Sequence, residues 1–181
     1  MGKESIKRDG FTLVELVVAL SVLAILTVLV GSSWRSVLES QRIKSAASAL
    51  YLDLSLAKSE AVKRNNRVRV TFMTQPDGNW CYGWKMDAQC DCFEQSACAI
   101  DGSAHREIRE DFPDVALEPH LSAPGDRLNF ERTKLFVSST YGNISLKTEH
   151  KEIRVVIART GRIRLCSPAG ITHVAGYSST C

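Results

Sequence analysis

No proline interrupts the chain before Pro76, and no cysteine appears before Cys81. The first 75 residues therefore hold no proline to break a helix, only Gly31 near its middle, and no covalent staple. Signatures of catalysis are missing as well. There is no G-x-S-x-G, H-E-x-x-H or phosphate-loop pattern, and His105, His120, His150 and His173 are scattered without motif context. The chain is expected not to be an enzyme and to carry no catalytic residue, cofactor or metal. Cys90-x-Cys92-x5-Cys98 lacks the second closely spaced pair and the nearby histidine of a zinc site. Net charge is slight too: 23 basic against 20 acidic residues leave +3, which argues nothing globally.

What is present is unevenly spread. Residues 1–34 balance at zero, 35–67 carry +4, 68–146 carry −5 and 147–181 carry +4. A near-neutral total thus hides an acidic middle and a basic C-terminal arm. All six cysteines (Cys81, Cys90, Cys92, Cys98, Cys166 and Cys181) lie beyond the N-terminal third. An even count in a chain that crosses a membrane fits an oxidising compartment and up to three disulfides, with the pairing open.

Phe11 to Val30 is a run of 20 residues interrupted only by Thr12, Glu15, Ser21 and Thr27. Twenty helical residues rise about 30 Å, the hydrocarbon thickness of a bilayer. Lys3, Lys7 and Arg8 precede the run, so the N-terminus is expected in the cytoplasm and the rest outside it. A secretory signal would have a shorter apolar region followed by a small-residue cleavage site. A core helix of a soluble domain is rarely so long or so uniformly apolar. A plain signal anchor explains the length but not Glu15, because a carboxylate costs about 2.5–3.5 kcal/mol at the membrane centre.

The segment Gly10-Phe11-Thr12-Leu13-Val14-Glu15-Leu16, behind Lys7-Arg8-Asp9, resembles the prepilin peptidase site of type IV pilins and type II secretion pseudopilins. The resemblance implies that residues 1–10 form a leader, that the peptidase cuts after Gly10, and that Phe11 becomes the N-methylated first residue. Glu15 would serve subunit assembly by neutralising the α-amine of a neighbour's Phe11. Two charges in low dielectric attract strongly only as a pair. Also implied are a single pass through the bacterial inner membrane, a head in the periplasm, and later entry into a pilus or pseudopilus. The expected partners are other pilins or pseudopilins, the prepilin peptidase and the inner membrane.

Past the transmembrane or filament-core segment, 11–33, a second helical stretch is expected over 34–66. Ile43, Ala46, Ala47, Leu50, Leu54, Ala57 and Ala61 recur at three- and four-residue steps, the stripe of an amphipathic helix. Glu60 and Arg64 have good i,i+4 spacing. Leu54 to Asn65 also resembles the FimT/FimU/GspH branch of pilin-like proteins. Residues 67–181 should form a β-rich head. Arg67 to Phe72 alternates as a strand, Pro76-Asp77-Gly78-Asn79 marks a turn, and Trp80 to Met86 returns. Ala88 to Asp101 reads as a bridge-tied loop, Phe112 to Leu121 as a further strand and Ser122 to Asp126 as a break. Lys134–Val137 and Asn143–Leu146 flank a Tyr141-Gly142 turn, and Ile153–Ala158 pairs with Ile163–Cys166. The fold class is α+β: a long N-terminal helix, its first half membrane-embedded, packed on an antiparallel sheet head in pilin-like fashion.

The basic arm holds Gly161-Arg162-Ile163-Arg164-Leu165-Cys166. On a strand, Arg162 and Arg164 share one face about 6.7 Å apart, a spacing similar to that of successive phosphates. Arg159, Arg154 and Lys151 add positive charge. Two arginines on a strand are also an ordinary solvated face or partners for the acidic middle. Gly-Arg-x-Arg before a cysteine resembles FimT-type minor pilins, which implies sequence-independent DNA binding in natural transformation. Cys166 and Cys181 are expected to pair and close the tail. The reading from sequence is a minor type IV pilin that primes or joins pilus assembly; the alternative is a GspH-type minor pseudopilin of type II secretion.

Overall fold

The computed structural model describes residues 11–123, 125–131 and 140–181, with residues 28–33 described by their helical backbone alone. The leader with Gly10, the Lys134–Val137 strand and Pro124 of the expected break lie outside the described residues. A single helix, α1, runs Leu13–Lys63. The absence of proline allows that length, and Thr12 starts it. The Thr12 hydroxyl accepts the Glu15 amide (3.3 Å), and the Glu15 carboxylate accepts the Thr12 amide (3.1 Å), a reciprocal capping box. Among the described residues no helix is long and apolar enough to cross a membrane; the side chains of Val28, Leu29 and Val30, which end the expected span, lie outside them.

The chain divides into two units, one ending at Leu38 and one spanning Glu39–Cys181. In the second unit the helix lays its small-residue stripe on the head. Ile43, Ala47, Leu50, Ala57 and Ala61 are all fully buried, so the spacing read from sequence identified the packed face correctly. Alanines at these points let backbone and sheet approach closely.

Among the described residues the head contains two four-stranded antiparallel sheets and a small hairpin, where one sheet was expected. The first sheet joins β1 (Val68–Thr74), β2 (Trp80–Met86), β5 (Arg106–Ile108) and β7 (Arg127–Phe130) in the order β5-β2-β1-β7. The β1–β2 hairpin pairs Val68 with Met86 through Thr74 with Trp80, as the alternation and the turn at Pro76 to Asn79 predict. The second sheet joins β6 (Ala116–Leu121), β8 (Gly142–Lys147), β9 (Glu152–Ile157) and β10 (Ile163–Cys166) in the order β10-β9-β8-β6. In the chain between β2 and β5, β3 (Ala99–Ile100) and β4 (Ser103–Ala104) form the hairpin, and Arg109–Asp111 make one 3-10 turn.

Gly142 was expected in a turn, yet it opens β8 opposite Leu121. Its φ of +148° and the His120 carbonyl 2.1 Å from any Cβ built there leave room for glycine alone. One core gathers Leu50 and Leu54 of the helix, Val70 and Leu128 of the first sheet, and Ile144 and Val155 of the second.

Candidate functional site

Among the described residues of the N-terminal unit, large apolar side chains are exposed. Phe11 is 78% exposed, and Leu13, Val14, Leu16, Val17 and Leu20 are likewise exposed. A contiguous apolar surface of this kind marks a membrane or protein contact. Within it, the Glu15 carboxylate also accepts the Thr12 hydroxyl at 3.0 Å. Sequence reasoning treated Glu15 as a carboxylate awaiting a neighbour's amine and overlooked Thr12, although a threonine three residues before a glutamate is itself a capping signal. The cap directs the carboxylate toward the start of the helix, the positive end of its dipole.

The five candidate cations of the arm are not equivalent. Arg154 is held by Glu152 at 2.7 Å. Arg159 lies 4.2 Å over the Tyr141 ring and donates to its hydroxyl at 2.6 Å. Lys151 is half-buried and reaches the His173 carbonyl at 3.5 Å. Arg162 and Arg164 are exposed, while Ile163 and Leu165 pack toward the core, as the strand alternation predicts. Arg164 donates to the Cys181 carbonyl at 3.1 Å. From the helix, Lys58 donates to the Gly161 carbonyl at 2.9 Å and so fixes the turn that carries Arg162. The structure thus leaves Arg162, just before β10, and Arg164, on it, exposed, with Arg164 also bound to the tail, and holds the other three cations in local contacts.

The cysteines pair as Cys81–Cys92, Cys90–Cys98 and Cys166–Cys181. The first ties the acidic loop onto β2, the second closes that loop on itself, and the third closes the tail. Titratable groups gather at the helix–sheet contact. Tyr82 donates to Asp53 at 2.8 Å, and β5 sets Glu107 opposite Tyr82. Burial raises the Asp53 pKa despite that hydrogen bond. Burial, then the charges of Asp53 and Asp111, push Glu107 up to about 7. His105 stacks on Trp84 at 4.0 Å, and burial lowers its pKa. His120 lies near Glu118, His150 near Glu39, and His173 faces the Ser167 carbonyl. These four histidines remain apart, and among the described residues no group of His, Cys, Asp or Glu is placed to hold a metal ion.

Two family models match the chain. The one described as type II transport protein GspH covers residues 46–161, and the prokaryotic N-terminal methylation motif covers residues 6–31. Among solved structures, the type IV minor pilin FimU of Pseudomonas aeruginosa PAO1 is similar at 17% identity. That match covers 71% of this chain and 98% of that one, with a TM-score of 0.47. The minor pseudopilin EpsH from the type 2 secretion system of Vibrio cholerae is similar at 16% identity. It covers 71% of this chain and 99% of that one, with a TM-score of 0.48. No curated protein matches.

Proposed function

This chain belongs to the type II transport protein GspH family, and from that premise we propose that it works as a minor pseudopilin of a type II secretion system. At the coarser level it is a minor pilin or pseudopilin, a structural subunit and not an enzyme. One observation carries the secretion reading: the GspH match runs over residues 46–161, from the packed half of α1 through the head as far as β9. The methylation motif at 6–31 is common to pilin-like proteins and does not separate pilus from secretion. Type IV pilus membership, the leading expectation from sequence, therefore gives way to what was its alternative. Neither match supports the DNA-binding role expected of Arg162 and Arg164, and the secretion reading does not require it.

The N-terminal residues take their roles from the same reading. Removal of residues 1–10 after Gly10 leaves Phe11 as the methylated first residue. The apolar face from Phe11 onward anchors the subunit in the inner membrane and later packs among neighbouring subunits. Glu15, already aimed by Thr12, accepts the amine of a neighbour and loses its desolvation cost in doing so.

Deletion of the gene in its own host tests the assignment. Secretion of exoproteins should fall while surface pili and twitching persist, and reintroduced protein should restore secretion. Loss of pili with intact secretion would overturn the reading. Mass measurement of the assembled subunit should show the loss of residues 1–10 and one added methyl group.

A further inference from the structure

Four of the six cysteines are crowded into one stretch of 18 residues, Cys81–Cys98, and their bridges cross. Cys81 pairs with Cys92 and Cys90 with Cys98, so each bridge encloses one end of the other. Only Asp91 separates Cys90 from Cys92. In the unfolded chain either of them can therefore reach Cys81 or Cys98. The uncrossed arrangement, Cys81–Cys90 with Cys92–Cys98, closes separations of 9 and 6 residues in place of 11 and 8. Loop-closure statistics thus favour the wrong arrangement, by about twofold. Synthesis from the N-terminus acts in the same direction, since Cys81 meets Cys90 before Cys92.

The folded sheet selects the crossed pairing, and the selecting residues come later in the chain. Cys81 and Gly83 share one face of β2. Cys92 is joined to the first, and the Cys98 sulfur lies over the second, 2.5 Å from any Cβ built there. Arg106 donates to the Cys92 carbonyl at 3.0 Å, and the His105 amide donates to the Cys98 carbonyl at 2.8 Å. Ile108 packs on the cysteine cluster from β5, opposite Cys81. All three residues follow Cys98 in sequence. A chain oxidised before β5 docks lacks the contacts that tell Cys90 from Cys92.

Such a chain cannot correct itself. Disulfide exchange needs an attacking thiolate, and a chain with all six cysteines bridged holds none. In the native head Cys81, Cys92 and Cys98 are fully buried and Cys90 is 5% exposed, which closes the bridges to an external thiol. Correction therefore has to precede closure of the head.

We propose that this chain is a substrate of a thiol–disulfide isomerase, a partner with a reactive low-pKa cysteine, which acts after a disulfide oxidase has made the first bridges; this rests on export of the head into an oxidising compartment. The isomerase thiolate attacks the Cys90 sulfur of a Cys81–Cys90 bridge, forming a mixed disulfide and releasing the Cys81 thiolate. Cys81 then attacks Cys92 and expels the Cys98 thiolate. Cys98 attacks the Cys90 sulfur of the mixed disulfide and returns the isomerase thiolate. As many S–S bonds form as break, and neither oxidant nor reductant is consumed.

Disulfide mapping of the full-length chain, made in a bacterial host with a periplasmic disulfide isomerase and in the same host lacking it, tests the assignment. Thiols are alkylated at lysis, and cleavage before Asp91 and after Phe93 separates Cys90, Cys92 and Cys98 into different peptides. Without the isomerase, the yield of chain with both crossed bridges should fall at least threefold, and the remainder should carry Cys81–Cys90. In the Cys90→Ala/Cys98→Ala variant Cys92 is the next cysteine after Cys81, and the Cys81–Cys92 yield should be the same in both hosts. Purified isomerase should convert the mispaired chain to the crossed pairing, and its variant without the attacking cysteine should not. Equal yields of crossed bridges in both hosts would overturn the proposal, as would conversion without any added thiol or an equal fall in the double variant. Six free thiols in the host that has the isomerase would overturn the export of the head, and the proposal with it.

Discussion

Gly83 lies in β2 directly beneath the Cys90–Cys98 bridge. A Cβ added there would stand 2.5 Å from the Cys98 sulfur and 3.1 Å from the His105 carbonyl oxygen. Neither neighbour can yield easily, since one belongs to a disulfide and the other accepts the Trp84 amide at 3.1 Å. Gly83→Ala should therefore destabilise the head by about 1–3 kcal/mol, the usual range for overpacking. Denaturant midpoints and a count of free thiols check this, and a midpoint equal to wild type would refute the steric argument. Single residues were unevenly legible in the sequence. The exposed positions of Arg162 and Arg164 followed from strand alternation. The contact of Arg159 with Tyr141 did not, because it joins residues 18 apart through a turn that alternation does not specify. The need for glycine at position 83 was equally hidden, since it depends on which cysteines pair.

Among the elements, α1 was read from sequence almost to its ends, because its buried face repeats at helical spacing over several turns. Strand β5 was missed for the opposite reason. Arg106-Glu107-Ile108 is three residues long, mostly charged, and pairs with β2 on one side as the edge of its sheet. Its register nevertheless places Glu107 against Tyr82 and the helix carboxylate Asp53, and this has a consequence for pH. Glu107 is raised from 4.5 to about 7, so the folded head favours the protonated carboxyl. The stability it contributes is full below the ordinary carboxylate range and is lost as pH rises through about 7. Asp53, raised by burial, acts in the same direction. His105 acts oppositely: its lowered pKa takes stability away as pH falls below 6.5. The readout is therefore the difference between wild type and Glu107→Gln. Urea midpoints between pH 5 and 8 should show the variant gaining on wild type as pH rises, with β5 amides exchanging faster in wild type at pH 8. A constant difference across that range would show that Glu107 titrates as an ordinary surface carboxylate.

For the whole molecule, the sequence led to the expectation of an apolar N-terminal segment, a long helix and a β-rich head with separated acidic and basic regions. It did not reveal that the head divides its strands between two sheets. That division rests on β7 joining β1 and on β6 joining β8, pairings between distant segments that local periodicity does not encode. The disulfides follow the same division, which makes their separate removal informative. Cys81–Cys92 staples the acidic loop to the first sheet and Cys90–Cys98 closes that loop, amid Met73, Phe93 and Ile108. Cys166–Cys181 belongs to the second sheet and the tail, where Ser167 also donates its amide to the Ser178 carbonyl at 2.9 Å. In the loop-entropy picture a bridge spanning about 15 residues contributes about 3 kcal/mol, and shorter loops somewhat less. Entropy alone would thus make the tail bridge the costliest to lose, but location reverses the order. Cys81 and Cys92 are fully buried among apolar neighbours, whereas Cys181 is exposed and the loop before it keeps Val174 anchored in the core. Replacing Cys166 and Cys181 with serine should therefore release the tail locally. Hydrogen exchange should accelerate at the Ser167 and Val174 amides while β1 and β2 stay protected. Replacing Cys81 and Cys92 with alanine should instead loosen β2 and β5 together and lower the melting temperature of the whole head. Equal, global loss of protection in both variants would show that the two sheets unfold as one unit, and that the tail loop owes its rigidity to the head as a whole.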